Sequence, residues 1–540
     1  MKTQKTAAKR EDTKAPDAGK STAHMSSLIF ASKILSLTIN GLGLVAVTRI
    51  LGPTEYGVYT LALAVAGTIG AFQDFGIGNS MLKFCSEYIA KRKPALARRS
   101  FYTAAVLVAV LTCVLTAITI LAGPFIAQDL LHNTSYSLPI QVGAFFIIGA
   151  ALYTISYDAL IGIGRGKQLA IITIIQATIQ AGLSVSLALE GYGALAPLIG
   201  VSASFFAAFA MTIAYISRIA SLQHANNQSF RAMSRRILSF STPLGLSGGL
   251  HGMVTNFAPV FMAAFAGAVV IGNYGIASRF GSIFELVYVS IGLAIFPMFS
   301  ATLASKSNKW RISKYYNYSV YISTLFVVPA IVYVIILSTQ FSYTAFGGAY
   351  KLAPEYISII SMGIIFGIIY NYTYSLIAST GETRRIMKYN MLMVVSDIIL
   401  LPLLVPTLNG AGLAIILFVA DPLVGSMLLV RYAARSRGIK LDLRKLAKVI
   451  ASGILSGALI LPLAWLLGTQ WILLLVAALI EQLFTYPAAL VLVGGLSAND
   501  TSILVGMADS MAVVRHFIRA MSVYANIIIT ARTRVRAIFP

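Results

Sequence analysis

Apolar runs of a helix-spanning length follow one another along nearly the whole chain, divided by short polar turns. Crossing a bilayer as an α-helix takes about 20 such residues. Barrel strands would instead alternate over only about 10. The pattern predicts about 14 membrane spans. They lie at roughly 26–49, 56–82, 99–126, 138–162, 169–190, 194–217, 237–264, 271–300, 315–340, 353–379, 387–407, 411–431, 448–468 and 470–493.

Composition points the same way. Apolar residues make up 58% of the chain and charged residues 11%, with a mean hydropathy of +0.81. Soluble domains carry about 25% charged residues. The expected fold class is therefore an all-α integral membrane protein. The two cysteines, Cys85 and Cys113, lie in or beside apolar stretches and form neither a disulfide framework nor a metal spacing.

The formal charge of +23 would suggest a nucleic-acid partner in a soluble protein. Here it reads as a topology signal, and no nucleic acid is expected. With the N-terminus inside and the spans alternating, all but four of the 41 lysines and arginines fall in inside segments. A miscounted span would invert that bias downstream of the error, and it never inverts. The four exceptions are Arg49 and Lys351 at the outer edge, and Lys33 and Arg279 within spans. The expectation is a multi-pass protein of the cell membrane with both termini cytoplasmic. The apolar run after Ser21 is too long for a signal-peptide core.

Three short matches recur at an offset of 217 or 218. Tyr56-Gly57 pairs with Tyr274-Gly275, Gly164–Gln168 with Gly381–Arg385, and Gly193-Ala194 with Gly410-Ala411. Six spans separate the copies, so both halves enter the membrane the same way round and form a parallel repeat. The expected organisation is a disordered basic N-terminus (1–25), an N-lobe of six spans (26–217), a cytoplasmic linker (218–236) and a C-lobe of six spans (237–433). Two added spans (434–495) and a basic amphipathic tail (496–540) follow. The tail suits either the anionic inner leaflet or a seat beneath the bundle. The offset sets Lys33 opposite His251 in span 7, among Gly245, Gly248, Gly249 and Gly252. These glycines allow close packing or a hinge.

L-G-P-T-E-Y-G-V-Y and F-Q-D-F-G-I-G-N-S-M-L-K-F, with Tyr274–Ala301 ending in F-P-M-F-S-A, resemble the polysaccharide-biosynthesis flippases. These belong to the multidrug/oligosaccharidyl-lipid/polysaccharide exporter superfamily, which also holds the lipid II flippases. The resemblance covers about residues 26–495. It implies a monomeric transporter that moves a polyprenyl- or dolichyl-linked oligosaccharide to the outer leaflet by alternating access. It also places Arg279 where lipid II flippases have an arginine linked to the substrate's pyrophosphate.

The residues support such a reading without the resemblance. A lipid diphosphate head is anionic, and cations in a wet cavity ease its passage, arginine being suited to bidentate phosphate contact. Arg279, Lys33 and His251 are the candidate substrate contacts. A structural pairing of Arg279 with an intramembrane acid is the alternative. Glu285 is not the obvious partner, because six residues put the two on different helix faces. Glu285, Asp397 and Asp74 are the candidate sites for a coupling H+ or Na+, with Asp158, Asp421 and Glu481 as further acids in or near spans. No other cofactor or metal is expected. The tyrosine-rich stretch Tyr370-Asn371-Tyr372-Tyr374 could contact sugars or anchor at the interface.

Two other functions compete. A multidrug or metabolite cation antiporter of the same superfamily would have 12 spans and acidic drug sites. A membrane enzyme on the same lipid carriers would need substantial outer loops, and the outer loops here are short and bland. An ATP-binding domain is not among the motifs.

Overall fold

The computed structural model describes residues 15–219, 229–304, 309–380, 382–467, 470–497, 500–501, 523–528 and 530. The extreme N-terminus, the centre of the linker and most of the tail lie outside these residues. Every regular element among the described residues is helical, so the chain is an all-α membrane protein.

The chain divides into two compact units, Met1–Gly272 and Asn273–Pro540. The first holds α1 (Ala15–Ile69), α2 (Ile77–Ala90), α3 (Pro94–Phe125), α4 (Ser137–Gly143), α5 (Phe145–Gly162), α6 (Gly166–Leu189), α7 (Leu195–Ile219), α8 (Phe230–Ala263) and the start of α9 (Ala268–Ala304). The second holds the remainder of α9, then α10 (Lys309–Phe346), α11 (Ala353–Ser379), α12 (Thr383–Ala414), α13 (Asp421–Arg437), α14 (Leu443–Ala458), α15 (Ile460–Leu467) and α16 (Trp471–Val493).

Ten of the described helical stretches are long and apolar enough to cross a membrane. Two of them, Leu28–Phe72 and Arg384–Arg437, each take in two expected spans around a corner. The corners are Gly52 (φ 71°, ψ 175°) before Pro53 and Asn409 (φ 47°, ψ −122°). Helices α8 and α9 coincide with the seventh and eighth spans. All of the roughly 14 spans read from hydropathy thus fall on helices.

One boundary differs from the hydropathy pattern. The second span reads as continuous over 56–82, yet α1 ends at Ile69, a tight turn covers Gly70–Phe72, and α2 begins only at Ile77. Phe75 (φ 46°) and Gly76 (φ 73°) are left-handed there. Asp74 makes the break tolerable, its carboxylate accepting the Gly78 N–H at 2.8 Å. A short acidic side chain that serves the local backbone competes with helix, and hydropathy does not register that competition. Beyond the break, Ile77, Met81, Phe84, Cys85 and Tyr88 follow a helical stripe into a core with Phe101 and Val108 of α3 and Ile155 of α5.

The glycines of α8 explain why it groups with the first unit, so that the division falls one span later than the expected linker at 218–236. A Cβ on Gly245 would lie 2.3 Å from the Phe75 carbonyl carbon, and one on Gly249 2.3 Å from the Phe72 ring. These two positions let α8 close onto the break. Gly248 and Gly252 have nothing within 4 Å of a Cβ. In hydrocarbon, apolar burial gives little drive for helix association, so close backbone approach of this kind carries much of the packing.

The repeat is visible in local geometry. The corner between the fifth and sixth spans holds Gly191 (φ 86°) and Gly193 (φ 54°), and that between the eleventh and twelfth holds left-handed Asn409. The residue before each Tyr-Gly pair serves as a helix-start acceptor. Glu55 accepts the Ala194 N–H at 2.9 Å, ahead of α7. Asn273 accepts those of Leu352 and Ala353 at 3.1 and 2.9 Å, at the start of α11. Each satisfies donors that a helix start leaves open.

Candidate functional site

In the first unit, Lys33 projects from α1 and is half-buried. Its Nζ lies 5.4 Å from the centroid of the Tyr157 ring on α5, close enough for a cation–π contact. His251 is half-buried on α8. Asp74 is engaged as the cap of α2, and Asp158 of α5 approaches the same spot. A Cβ at Gly78 would meet Asp158 Oδ2 at 2.4 Å and both Asp74 oxygens at 3.4 Å. Glycine at 78 is what lets two carboxylates converge there.

In the second unit, Arg279 and Glu285 are both exposed on α9, on different faces as their spacing dictates. Asp397 of α12 is wholly buried (0% exposed). Both its oxygens are without a hydrogen-bond donor among the described residues. Asp421, at the start of α13, is also buried, and the Asp397 and Asp421 carboxylates approach within 4.8 Å. The corner at Asn409 explains the meeting, since Asp397 and Asp421 stand twelve residues before and twelve residues after it. Equal arms of a helical hairpin end at equal depth. That spacing was the signal from which the pair could have been read; the bare inventory of intramembrane acids did not contain it. Two close, buried carboxylates, with Asp397 lacking a donor among the described residues, are costly as dianions. Hard oxygen ligands of this kind fit a proton or a small hard cation.

The tyrosine-rich stretch of α11 divides. Tyr372 is fully buried, sharing a hydrogen bond with Ser323 and donating to the Tyr288 carbonyl at 3.2 Å. It belongs to the core and is not a sugar contact. Tyr370 donates to Asn390 at 3.2 Å, while Tyr374 remains exposed.

Each unit also carries an acid paired with two of its basic turn residues. Glu87 pairs with Lys91 at 2.6 Å and Arg236 at 3.1 Å. Glu382 pairs with Arg437 at 2.7 Å and Arg385 at 3.4 Å and accepts from the Tyr432 hydroxyl. The Tyr432 hydrogen bond, followed by Arg437, holds the Glu382 carboxyl below its ordinary range. Lys91, followed by Arg236, does the same for Glu87. A cavity of about 230 Å³ lies elsewhere, between α10 and α14, where Lys445 pairs with Asp500 at 2.7 Å.

Over residues 21–303, more than half of the chain, the sequence matches the family model described as polysaccharide biosynthesis protein. The chain belongs to the polysaccharide biosynthesis protein family. This family member also matches the MatE model over residues 243–403. Among curated proteins none matches it. Its fold is that of solved transporters of the MOP superfamily. The lipid II flippase MurJ in an inward closed conformation superposes with a TM-score of 0.65 at 15% identity, covering 85% of this chain and 97% of that one. An inward-facing multidrug resistance MATE transporter gives 0.57 at 14%, covering 75% and 98%. The eukaryotic MATE transporter AtDTX14 gives 0.57 at 13%, covering 81% and 98%. At these identities the likeness is one of fold. The chain is a multi-pass membrane protein, and the solved structures whose fold it shares are those of transporters.

Proposed function

We propose that the chain flips a polyprenyl- or dolichyl-(pyro)phosphate-linked oligosaccharide from the cytoplasmic to the outer leaflet of the cell membrane by alternating access, as a monomer with both termini cytoplasmic. The observation that carries this reading is the presence of a cation inside a span of each unit, Lys33 on α1 and Arg279 on α9, in a member of the polysaccharide biosynthesis family. An anionic head crossing hydrocarbon needs such groups, and Arg279 offers the planar fork that suits phosphate. His251 is the third member of the proposed substrate set.

Coupling to H+ or Na+ falls to Asp397, with Asp421 as its partner. Among Glu285, Asp397 and Asp74, Asp397 is the one whose buried carboxylate has no donor among the described residues. Asp74 caps a helix, and Glu285 stands exposed. The competing reading is a multidrug or metabolite cation antiporter, favoured by the MatE match over residues 243–403.

Cells lacking the gene, complemented with wild type or with Arg279→Ala at equal expression, separate the two. The flippase reading expects an oligosaccharide-bearing lipid to accumulate and surface glycan to disappear, with wild type but not the variant restoring both. Unchanged glycan together with a new sensitivity to cationic compounds would transfer the assignment to the antiporter.

A further inference from the structure

Glu481 is the eleventh of the 23 residues of α16, one residue before the midpoint of a span. Leu474, Ala478, Glu481 and Thr485 recur at steps of four, three and four and share one helix face. Leu474 and Ala478 of that face are buried against Tyr333 and Leu337 of α10 and Ile460 and Ala464 of α15. Helix α14 adds Ser456, whose hydroxyl lies 2.8 Å from that of Thr485. Thr485 in turn donates to the Glu481 backbone carbonyl at 2.8 Å. The acid therefore faces a junction of helices rather than lipid.

The junction is incomplete. Both Glu481 carboxylate oxygens are buried without a hydrogen-bond partner among the described residues, while the Tyr333 hydroxyl stands among Glu481, Ser456 and Thr485. No charged group of the described residues acts on the carboxyl. Helix α10 faces it with Tyr333, and α15 carries no titratable side chain. Lys448 of α14 sits at the far end, beside Gly494. On α16 itself, Tyr486 is engaged with the Leu325 carbonyl. A carboxylate with no donor and no counter-charge at mid-span is the state that such a junction disfavours. A neutral acid suits it, because its O–H can be accepted by the hydroxyl oxygens of Tyr333 or Ser456. We propose that Glu481, with Tyr333, Ser456 and Thr485, forms a proton-binding site within the helices added after the repeat, distinct from the Asp397–Asp421 pair. It makes α16 an acid-sensitive element, and it does not depend on which substrate the transporter carries.

The test is carbodiimide labelling of the purified full-length protein in lipid. A protonated carboxyl in apolar surroundings adds its oxygen to the carbodiimide carbon while its proton passes to nitrogen, and the adduct is read on the Glu481 peptide by mass spectrometry. Labelling should fall along a one-proton curve as the pH is raised, about tenfold per unit above the midpoint. Sodium at fixed pH should leave it unchanged, and Tyr333→Phe should move the midpoint. Infrared spectra should show a neutral-acid carbonyl band that Glu481→Gln removes without altering the thermal midpoint. Absence of both label and band, labelling that ignores pH, or suppression by sodium would each overturn the proposal.

Discussion

Each unit brings two intramembrane acids together, and the two pairs live differently. In the first unit Asp74 takes the Gly78 N–H and stabilises a helix start, with Asp158 approaching across Gly78. In the second, Asp397 and Asp421 meet inside a helical hairpin, and Asp397 has no donor among the described residues. The lesson is that the presence of an acid in a span says little until its donors are counted. A compensated carboxylate is part of the architecture. An uncompensated one stores free energy that a proton or cation can release, and coupling requires such a reservoir.

The sharpest way to break this comparison is Asp397→Asn. Transport in proteoliposomes should fall about tenfold or more, a loss of at least 1.4 kcal/mol in the coupled step. The thermal midpoint should hold or rise, because the neutral amide removes a buried charge. Normal transport by this variant would return Asp397 to the architecture.

Next in size is the seating of α8 on the break in the first unit. Gly245→Ala forces a Cβ against the Phe75 backbone and should destabilise by about 1–3 kcal/mol. Gly248→Ala, with open space at its Cβ, should be neutral or gain up to about 1 kcal/mol from helix propensity. Parallel thermal unfolding of the two in detergent checks the contrast, and equal losses would dissolve it.

Asp74→Ala should lose about 1 kcal/mol with its cap. Asp74→Asn, which keeps an acceptor oxygen, should recover most of that and transport normally. A transport defect in the asparagine variant at unchanged stability would make the first-unit pair functional and erase the distinction between the units.

The smallest effect belongs to Glu382. Its partner Arg385 is exposed, so Glu382→Gln should cost no more than about 1 kcal/mol. The carboxyl is held below its usual value by Tyr432 and then Arg437. Its contribution is therefore complete above the unfolded range near 4.3 and disappears as pH falls through the lowered folded value. The difference in unfolding midpoint between wild type and Glu382→Gln, constant at neutral pH, should vanish as acidification passes the lowered folded value.

The chain alone settled the fold class, the spans and the repeat, because each rests on a physical rule that acts along the sequence. Hydrocarbon demands long apolar helices that satisfy their own backbone, and a parallel repeat can be read as a constant offset between motifs such as Tyr56-Gly57 and Tyr274-Gly275. It also picked out Lys33 and Arg279, since a cation inside an apolar run needs no tertiary context to be noticed. Tertiary structure decided the rest. It broke the second span at Asp74, where a local hydrogen bond outweighed the apolar pattern. It divided the α8 glycines into two that seat against Phe72 and Phe75 and two that face open space. It placed Tyr372, from a stretch that could contact sugars or anchor at the interface, in the core, paired Asp397 with Asp421 through the corner at Asn409, and left Glu481 with no donor among the described residues. Whether a polar group is satisfied depends on which atoms approach it from other helices, and neither hydropathy nor spacing along one chain contains that.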